Sequence, residues 1–170
     1  MIRRHHAHRW LSLHLHLGLF LCLAACSTPR DHFESGEPVV LQDRRGLAVQ
    51  GYDPVAYFAM NQAVEGSEDL TLVHDGATYR FASQANHDAF MVEPERFAPA
   101  YGGWCAWAMA DDRGSLVGID PESFLIEDGK LLLFYKTWLA DTRAMWLRRD
   151  QAELRTRAGR NWERITNERR

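Results

Sequence analysis

Apolar and polar residues alternate in two pairs of short segments, and each pair is joined by an Asp-Gly dipeptide. The segments are Leu70 to His74 and Ala77 to Ala82 around Asp75-Gly76, and Phe124 to Glu127 and Lys130 to Tyr135 around Asp128-Gly129. Alternation with a period of two is typical of half-buried strands, and Asp-Gly favours a tight turn because both residues adopt positive φ. The pattern therefore predicts two antiparallel hairpins.

Two helix starts stand out between the hairpins and before them. Asp53 is suited to accept hydrogen bonds as an N-cap and Pro54 to occupy the first helical position, which predicts a helix over Val55–Met60. Ser83 is the expected N-cap of a second helix, which ends before Pro94 because the residue before a proline disfavours the helical conformation.

The two ends of the domain complete the predicted fold. Residues 39–49 are predicted as a strand, interrupted by the charged segment 43–46. Residues 137 to about 157 are predicted as one helix, with Trp138 and Trp146 on its buried stripe. Because strands and helices do not alternate regularly, the fold class is α+β, a small antiparallel sheet of two hairpins with flanking helices in a single domain.

Composition and charge narrow the range of functions. A chain of 170 residues with 46% apolar and 25% charged side chains is typical of one globular domain. The formal charge is −3, and it becomes −6 without residues 1–25, which hold three arginines and no acid. No basic stripe crosses the middle of the chain, so the sequence does not favour a nucleic-acid partner.

The N-terminus has the three zones of an export signal. A basic stretch to Trp10 precedes an apolar stretch from Leu11 to Leu23, and small residues follow. The apolar stretch is shorter than the roughly 20 residues that cross a bilayer, so residues 1–25 are interpreted as a cleaved signal peptide.

The residues at the end of this signal resemble a bacterial lipobox. The segment Leu23-Ala24-Ala25-Cys26 implies cleavage before Cys26 and a diacylglycerol on its thiol; ordinary signal cleavage beside an incidental cysteine is the alternative. A lipid on Cys26 predicts a membrane-anchored protein of the bacterial cell envelope that faces the periplasm, and Ser27 in the next position favours the outer membrane. The predicted organisation is a lipidated tether over 26–38, an α+β domain over 39–140 and a C-terminal helical extension over 141–170.

Cysteine usage leaves one thiol in the mature domain. Cys22 leaves with the signal and Cys26 carries the lipid, so Cys105 has no partner for an intramolecular disulfide. Three hypotheses follow for Cys105: a small buried apolar residue, a metal ligand, or a redox or nucleophilic thiol.

Two blocks of sequence carry a family resemblance. They are Gly-Tyr-Asp-Pro-Val-Ala-Tyr-Phe at 51–58 and Tyr-Gly-Gly-Trp-Cys-Ala-Trp-Ala at 101–108, with Tyr-Arg-Phe-Ala-Ser at 79–83 between them. Residues 47 to 138 resemble the YHS domain family, in particular its exported bacterial branch, and Asn161-Trp162 resembles the tail of that branch. The resemblance implies metal handling, with copper as the suggested ion.

The chain departs from the metal-associated members of that family at their cysteines. Ala56, Ala82 and Asn86 stand where those members carry cysteine, and alanine cannot bind a metal. A soft ion such as copper or zinc is therefore expected only at a different site, centred on Cys105 with Asp53 and His87 as tentative ligands. The other sulfur candidates are Met60, Met91 and Met109. Their spacing alone does not bring these residues together.

The second block also predicts a ligand pocket. Gly102 and Gly103 allow a tight turn and a close approach of the backbone to a ligand. The tentative pocket residues are Tyr52, Asp53, Tyr57, Tyr101, Gly102, Gly103, Trp104, Cys105 and Trp107. For Asp53 a plain helix cap, and for the aromatic residues plain core packing, are the competing interpretations.

These features favour a binding module over an enzyme. A cysteine enzyme needs an oriented base beside the thiol, and neither His74 nor His87 lies in a recognisable catalytic context. The leading hypothesis is a lipid-anchored domain that binds a ligand around residues 101–107, with copper or zinc at Cys105 as one form of it. The alternatives are a scaffold with a buried Cys105 that meets another envelope protein, and a thiol-redox accessory protein.

Overall fold

The structure is a computed structural model, and it describes residues 39–169. The predicted signal peptide, the lipid site at Cys26 and the tether over 26–38 lie outside the described residues. Within residues 39–169, no helix is both long enough and apolar enough to cross a membrane.

Helices and two small antiparallel sheets make up the described chain, which confirms the α+β class. The elements are α1 (Pro54–Met60), β1 (Ser67–His74), β2 (Ala77–Phe81), α2 (Gln84–Val92), α3 (Pro94–Phe97), α4 (Ala106–Met109), β3 (Asp120–Glu127), β4 (Lys130–Phe134), α5 (Thr142–Leu147) and α6 (Gln151–Glu168). Short 3₁₀ turns at Val49–Gly51 and Ala100–Gly103 connect them.

Both predicted hairpins are confirmed, and each forms its own two-stranded sheet. Strand β1 pairs with β2 and β3 with β4, antiparallel in both cases. The φ angles of Asp75 and Gly76 are 49° and 76°, and those of Asp128 and Gly129 are 48° and 71°. Two successive positive φ angles follow the right-handed twist of the flanking strands, which is why Asp-Gly closes both turns.

The starts of α1 and α2 also follow the sequence. Asp53 caps α1 through its side chain, Pro54 is the first residue of that helix, and Ser83 caps α2. Helix α2 ends at Val92, before Pro94, as the proline predicts.

The strand predicted over residues 39–49 is wrong. Residues 43–46 form a turn in which the backbone N–H of Gly46 donates to the carbonyl of Asp43 at 2.9 Å. The Asp43 carboxylate accepts from the backbone of Leu47 at 3.0 Å, which fixes the turn and leaves only single-residue bridges, such as that of Leu47 with Thr78. The charged residues that interrupt the apolar pattern thus end any strand there.

The single helix predicted over residues 137–157 is wrong as well. Two aspartates divide the segment, because Asp141 caps α5 and Asp150 caps α6, and each carboxylate accepts from the backbone N–H three residues later. Trp146 is fully buried, but Trp138 precedes both helices and is 91% exposed. The predicted buried stripe therefore keeps Trp146 and loses Trp138.

The core consists of two clusters of buried side chains that share strand β4. Leu131 and Leu133 belong to the first cluster, and Leu132 and Phe134 belong to the second. The first also contains Tyr57, Tyr79, Phe81, Phe90 and Cys105, and the second Met109, Trp146, Leu154, Ala158 and Ile165. The predicted C-terminal extension thus supplies four residues of the second cluster: Trp146, Leu154, Ala158 and Ile165.

Candidate functional site

Asp53 is a buried structural anchor. One carboxylate oxygen accepts from the backbone N–H groups of Val55 and Ala56 at 2.8 and 3.2 Å. The other accepts from the backbone of Ala82 at 2.8 Å and from the side-chain amide of Asn86 at 2.7 Å. With the side chain fully buried, these four bonds tie α1 to the end of β2 and to α2. Of its two interpretations, the structure gives Asp53 the helix cap.

The two tyrosines of the first block do not form a common pocket wall. Tyr57 is fully buried, donates its hydroxyl to the carbonyl of Pro121 at 2.9 Å, and packs edge-on against Phe124. Burial raises the pKa of the Tyr57 hydroxyl above its usual value. Tyr52 is only half-buried and bridges to Glu65 through its backbone. Tyr57 is a core residue, in agreement with the alternative of plain packing.

The second block begins with a left-handed turn. Tyr101, Gly102 and Gly103 have φ angles of 56°, 60° and 85°. A Cβ atom on Gly102 would lie 2.7 Å from Cη2 of Trp162. Glycine is required there both for the positive φ and for the close approach of Trp162 from α6.

Cys105 closes a small ring of hydrogen bonds. Its Sγ accepts from the backbone N–H of Tyr135 at 3.3 Å, and the Thr142 hydroxyl donates to the carbonyl of Tyr135 at 2.7 Å. Because the Thr142 proton is used in that bond, the thiol donates to Thr142 Oγ1, 3.5 Å away. The side chain is 0% exposed. Such a thiol does not have the access that redox or nucleophilic chemistry needs.

The tentative metal ligands are not brought together. Asp53 and Cys105 use their polar atoms within the bonds described above, and His87 Nδ1 lies 3.0 Å from the carboxylate of Asp88 with its ring edge-on against Phe81. Among residues 39–169, no group of three or more His, Cys, Asp or Glu side chains is placed to hold a metal ion. These residues do not fit a copper or zinc site.

A cleft of about 400 Å³ opens beside the second block, and we call it the Tyr101 cleft. Its lining residues are Asp75, Glu95, Ala98, Pro99, Ala100, Tyr101, Gly102, Glu127, Asp128, Lys130, Leu132, Arg155 and Trp162. Of the nine predicted pocket residues, only Tyr101 and Gly102 line it. Trp104 instead donates from its indole N–H to the carbonyl of Val39 at 2.7 Å, and Trp107 packs against both core clusters.

Carboxylates outnumber cations in the Tyr101 cleft. Four carboxylates and two cations line it, and Arg155 pairs with Glu127 at 3.2 Å and with Asp128 at 3.0 Å. Glu127 also accepts from the indole N–H of Trp146 at 3.1 Å. Burial raises the pKa of Tyr101 to about 12; the charge of Glu127 adds to this effect and that of Arg155 opposes it. Tyr101 is therefore a neutral phenol at physiological pH.

Several cleft residues were not anticipated from the sequence. The sequence predicts Glu127 and Asp128 only as parts of a hairpin, and Arg155 only as part of the helix over residues 137 to about 157. The one available signal was Trp162, within the Asn161-Trp162 pair that resembles the tail of the exported branch. Asn161 holds α6 in place, because its amide donates to the carbonyls of Met109 and Asp111, both at 2.9 Å.

A second, smaller cavity of about 210 Å³ shares no lining residue with the Tyr101 cleft. Its lining residues are Leu41, Gln42, Asp43, Leu47, Gln50, Gly118, Ile119 and Tyr135. Leu41, near the start of the described chain, and Tyr135, the residue that follows β4, both line this cavity.

No protein-family model, curated protein or solved structure matches this chain.

Proposed function

We propose that this chain is a lipid-anchored protein of the bacterial cell envelope whose domain binds a small organic cation in the Tyr101 cleft without catalysing a reaction. The observation that carries the proposal is the cleft itself. Its volume of about 400 Å³ lies within the range of roughly 300–1,000 Å³ that is usual for small-molecule sites.

The lining of the cleft supports a cationic ligand. Tyr101 and Trp162 are both cleft residues, and aromatic faces attract cations. Arg155 already pairs with Glu127 and Asp128, so its charge is largely offset. The excess of carboxylates then leaves a negative potential for an organic amine.

The anchor is proposed from the sequence. The Leu23-Ala24-Ala25-Cys26 segment resembles a lipobox, and several acyl chains on one cysteine hold a protein stably, since each buried CH₂ contributes about 0.8 kcal/mol. The resemblance to the exported YHS branch supports the same location, facing the periplasm, and Ser27 favours the outer membrane.

The second candidate function is a scaffold or interaction domain that needs no small ligand. The burial of Cys105 and its closed ring of hydrogen bonds favour it, because both are what a structural cysteine would show. The same burial removes the support for copper, zinc or thiol-redox chemistry at Cys105, and the proposal contains none of them.

Titration calorimetry tests the cleft. The chain from Ser27 onward is titrated with spermidine, and with glutarate as an anion of comparable length. We expect saturable one-to-one binding of spermidine alone. Asp128→Asn should weaken it about fivefold, the effect of losing one partly screened charge pair. Asparagine also tolerates the positive φ of 48° at this turn.

Asp112→Asn is the matched control. This substitution removes the same charge from a side chain that is almost fully exposed and does not line the cleft. Equal losses in the two variants, or equal binding of glutarate, would contradict a specific cation site. No binding of spermidine at all would favour the scaffold.

A further inference from the structure

A short loop presents two large apolar side chains to solvent. The loop runs from Lys136 to Asp141, and we call it the Trp138 loop. Trp138 is 91% exposed and Leu139 is 75% exposed. Two adjacent apolar side chains of this size at the tip of a loop are more than the single exposed apolar residues that ordinary surfaces carry.

Hydrogen bonds hold this loop in one conformation. The backbone N–H of Thr137 donates to the carbonyl of Ala140 at 2.8 Å, and Lys136 bridges to Asp141. At the base, the N–H of Thr142 donates to the carbonyl of Tyr135 at 3.1 Å. The ring of hydrogen bonds through Cys105 joins the same two base residues. The exposed side chains therefore project from a fixed turn.

The surface around the loop is apolar and basic. Met145 and Leu147 on α5 are 41% and 47% exposed, and Tyr135 is 37% exposed. The cations of the segment are Lys136, Arg143, Arg148 and Arg149, all exposed, and they form no ion pair with any residue of 39–169. Asp141, which caps α5, is the one acid over residues 135–149, so this segment carries a charge of +3 in a chain of −3.

The described chain begins near this surface. Leu41 and Tyr135 line the same small cavity, so the chain enters the domain beside the base of the Trp138 loop. Fourteen residues lie between Cys26 and Leu41, and the fifteen Cα-to-Cα steps that join the two span at most about 50 Å when fully extended. A lipid on Cys26 would therefore hold the loop within reach of the bilayer surface.

We infer that the Trp138 loop and the exposed face of α5 form a membrane-facing surface, which inserts Trp138 and Leu139 into the interface of an anionic phospholipid bilayer. This inference rests on the lipid anchor of the proposed function and goes beyond it. Indole rings favour the level of the lipid headgroups, and unpaired arginines and lysines beside them attract anionic lipid. In this orientation the domain would lie on the bilayer surface, with the Trp138 loop and the exposed face of α5 in contact with lipid.

Co-sedimentation with vesicles tests this surface in the unlipidated chain from Ser27 onward. We expect binding to equimolar phosphatidylethanolamine and phosphatidylglycerol, weaker binding to phosphatidylcholine, and a blue shift of tryptophan fluorescence on binding. Trp138→Ala with Leu139→Ala should lower the bound fraction about tenfold, because the two large apolar side chains are no longer available to transfer from water into the bilayer interface. Arg148→Gln with Arg149→Gln should remove the preference for anionic vesicles and the sensitivity of binding to salt.

Val73→Ala with Val92→Ala is the matched control, because these side chains are 69% and 75% exposed outside the Trp138 loop. The inference is overturned if the chain does not bind anionic vesicles, or if the control loses as much binding as the loop variant. It is also overturned if the blue shift of tryptophan fluorescence appears only when envelope proteins are added, because the surface then recognises protein. Because no lipid is attached to this chain, these results are independent of the anchor. The anchor is tested separately by the mass of the mature protein, which should include a lipid on Cys26 that is absent from Cys26→Ala.

Discussion

The side chain of Asp53 joins three elements of the fold, namely α1, the end of β2 and α2. Its carboxylate accepts four hydrogen bonds while fully buried. Asp53→Ala removes the helix cap and leaves the backbone N–H of Ala82 and the side-chain amide of Asn86 without an acceptor. We expect a loss of about 3 kcal/mol in the free energy of unfolding, measured by urea denaturation.

Asp150→Ala provides the comparison for that experiment. Asp150 caps α6 through a single bond to Glu153 on an exposed surface, so its loss should cost only about 1 kcal/mol. If both variants lost the same stability, Asp53 would be no more than a cap.

Asp111 makes stability depend on pH. Partial burial acts to raise its pKa, but hydrogen bonds from Ser115, Arg113 and Gly114 and the charge of Arg157 hold it below the usual value of 3.8. A lowered pKa stabilises the fold above about pH 4, and this contribution disappears as the pH falls through the folded-state pKa. Asp111→Asn should therefore be less stable than the wild type at pH 7, by about 1 kcal/mol or less, and equally stable once the pH lies below the folded-state pKa of Asp111.

The neighbouring aspartate supplies the control for this pH dependence. Asp112 is almost fully exposed, and its nearest cation, Arg157, lies 3.9 Å away. Urea midpoints of Asp112→Asn should follow the wild type at every pH. A difference between Asp111→Asn and the wild type that persists in acid would show that charge is not its cause.

At the scale of elements, Gly102 joins the second block to α6. Gly102→Ala places a Cβ at φ 60° and 2.7 Å from Trp162, so Trp162 must move. Gly129→Ala has a similar φ of 71° and meets no atom within 4 Å. We expect about 1 kcal/mol of destabilisation for Gly129→Ala and about 2 kcal/mol or more for Gly102→Ala. Equal values from thermal unfolding would mean that Trp162 does not constrain this turn.

Local chemistry explains which elements could be predicted from the sequence. Asp-Gly pairs determine the two hairpin turns through their own φ preferences, and Asp53 and Ser83 cap their helices as expected. The single helix predicted over residues 137–157 is wrong because two capping aspartates divide a segment whose hydrophobic spacing is continuous. Asp141 and Asp150 each supply a new helix start, and between them Trp146 alone keeps its place in the core.

At the scale of the whole molecule, the cleft was largely beyond sequence reasoning. Tyr101, Glu127, Arg155 and Trp162 come from three separate parts of the chain, and no spacing rule relates them. Two residues of the block around Cys105, Tyr101 and Gly102, line this cleft. The block could not show that Cys105 itself turns inward to bond Thr142, because side-chain direction depends on packing against α5.

Strand β4 has a consequence for how the molecule comes apart. Its alternate side chains enter different clusters, Leu131 and Leu133 the first, Leu132 and Phe134 the second. If either cluster opened alone, one whole face of β4 would meet water while the other stayed packed. That cost couples the two halves, so the domain should lose its structure in a single cooperative step, with the amide protons of β4 among the last to exchange with solvent.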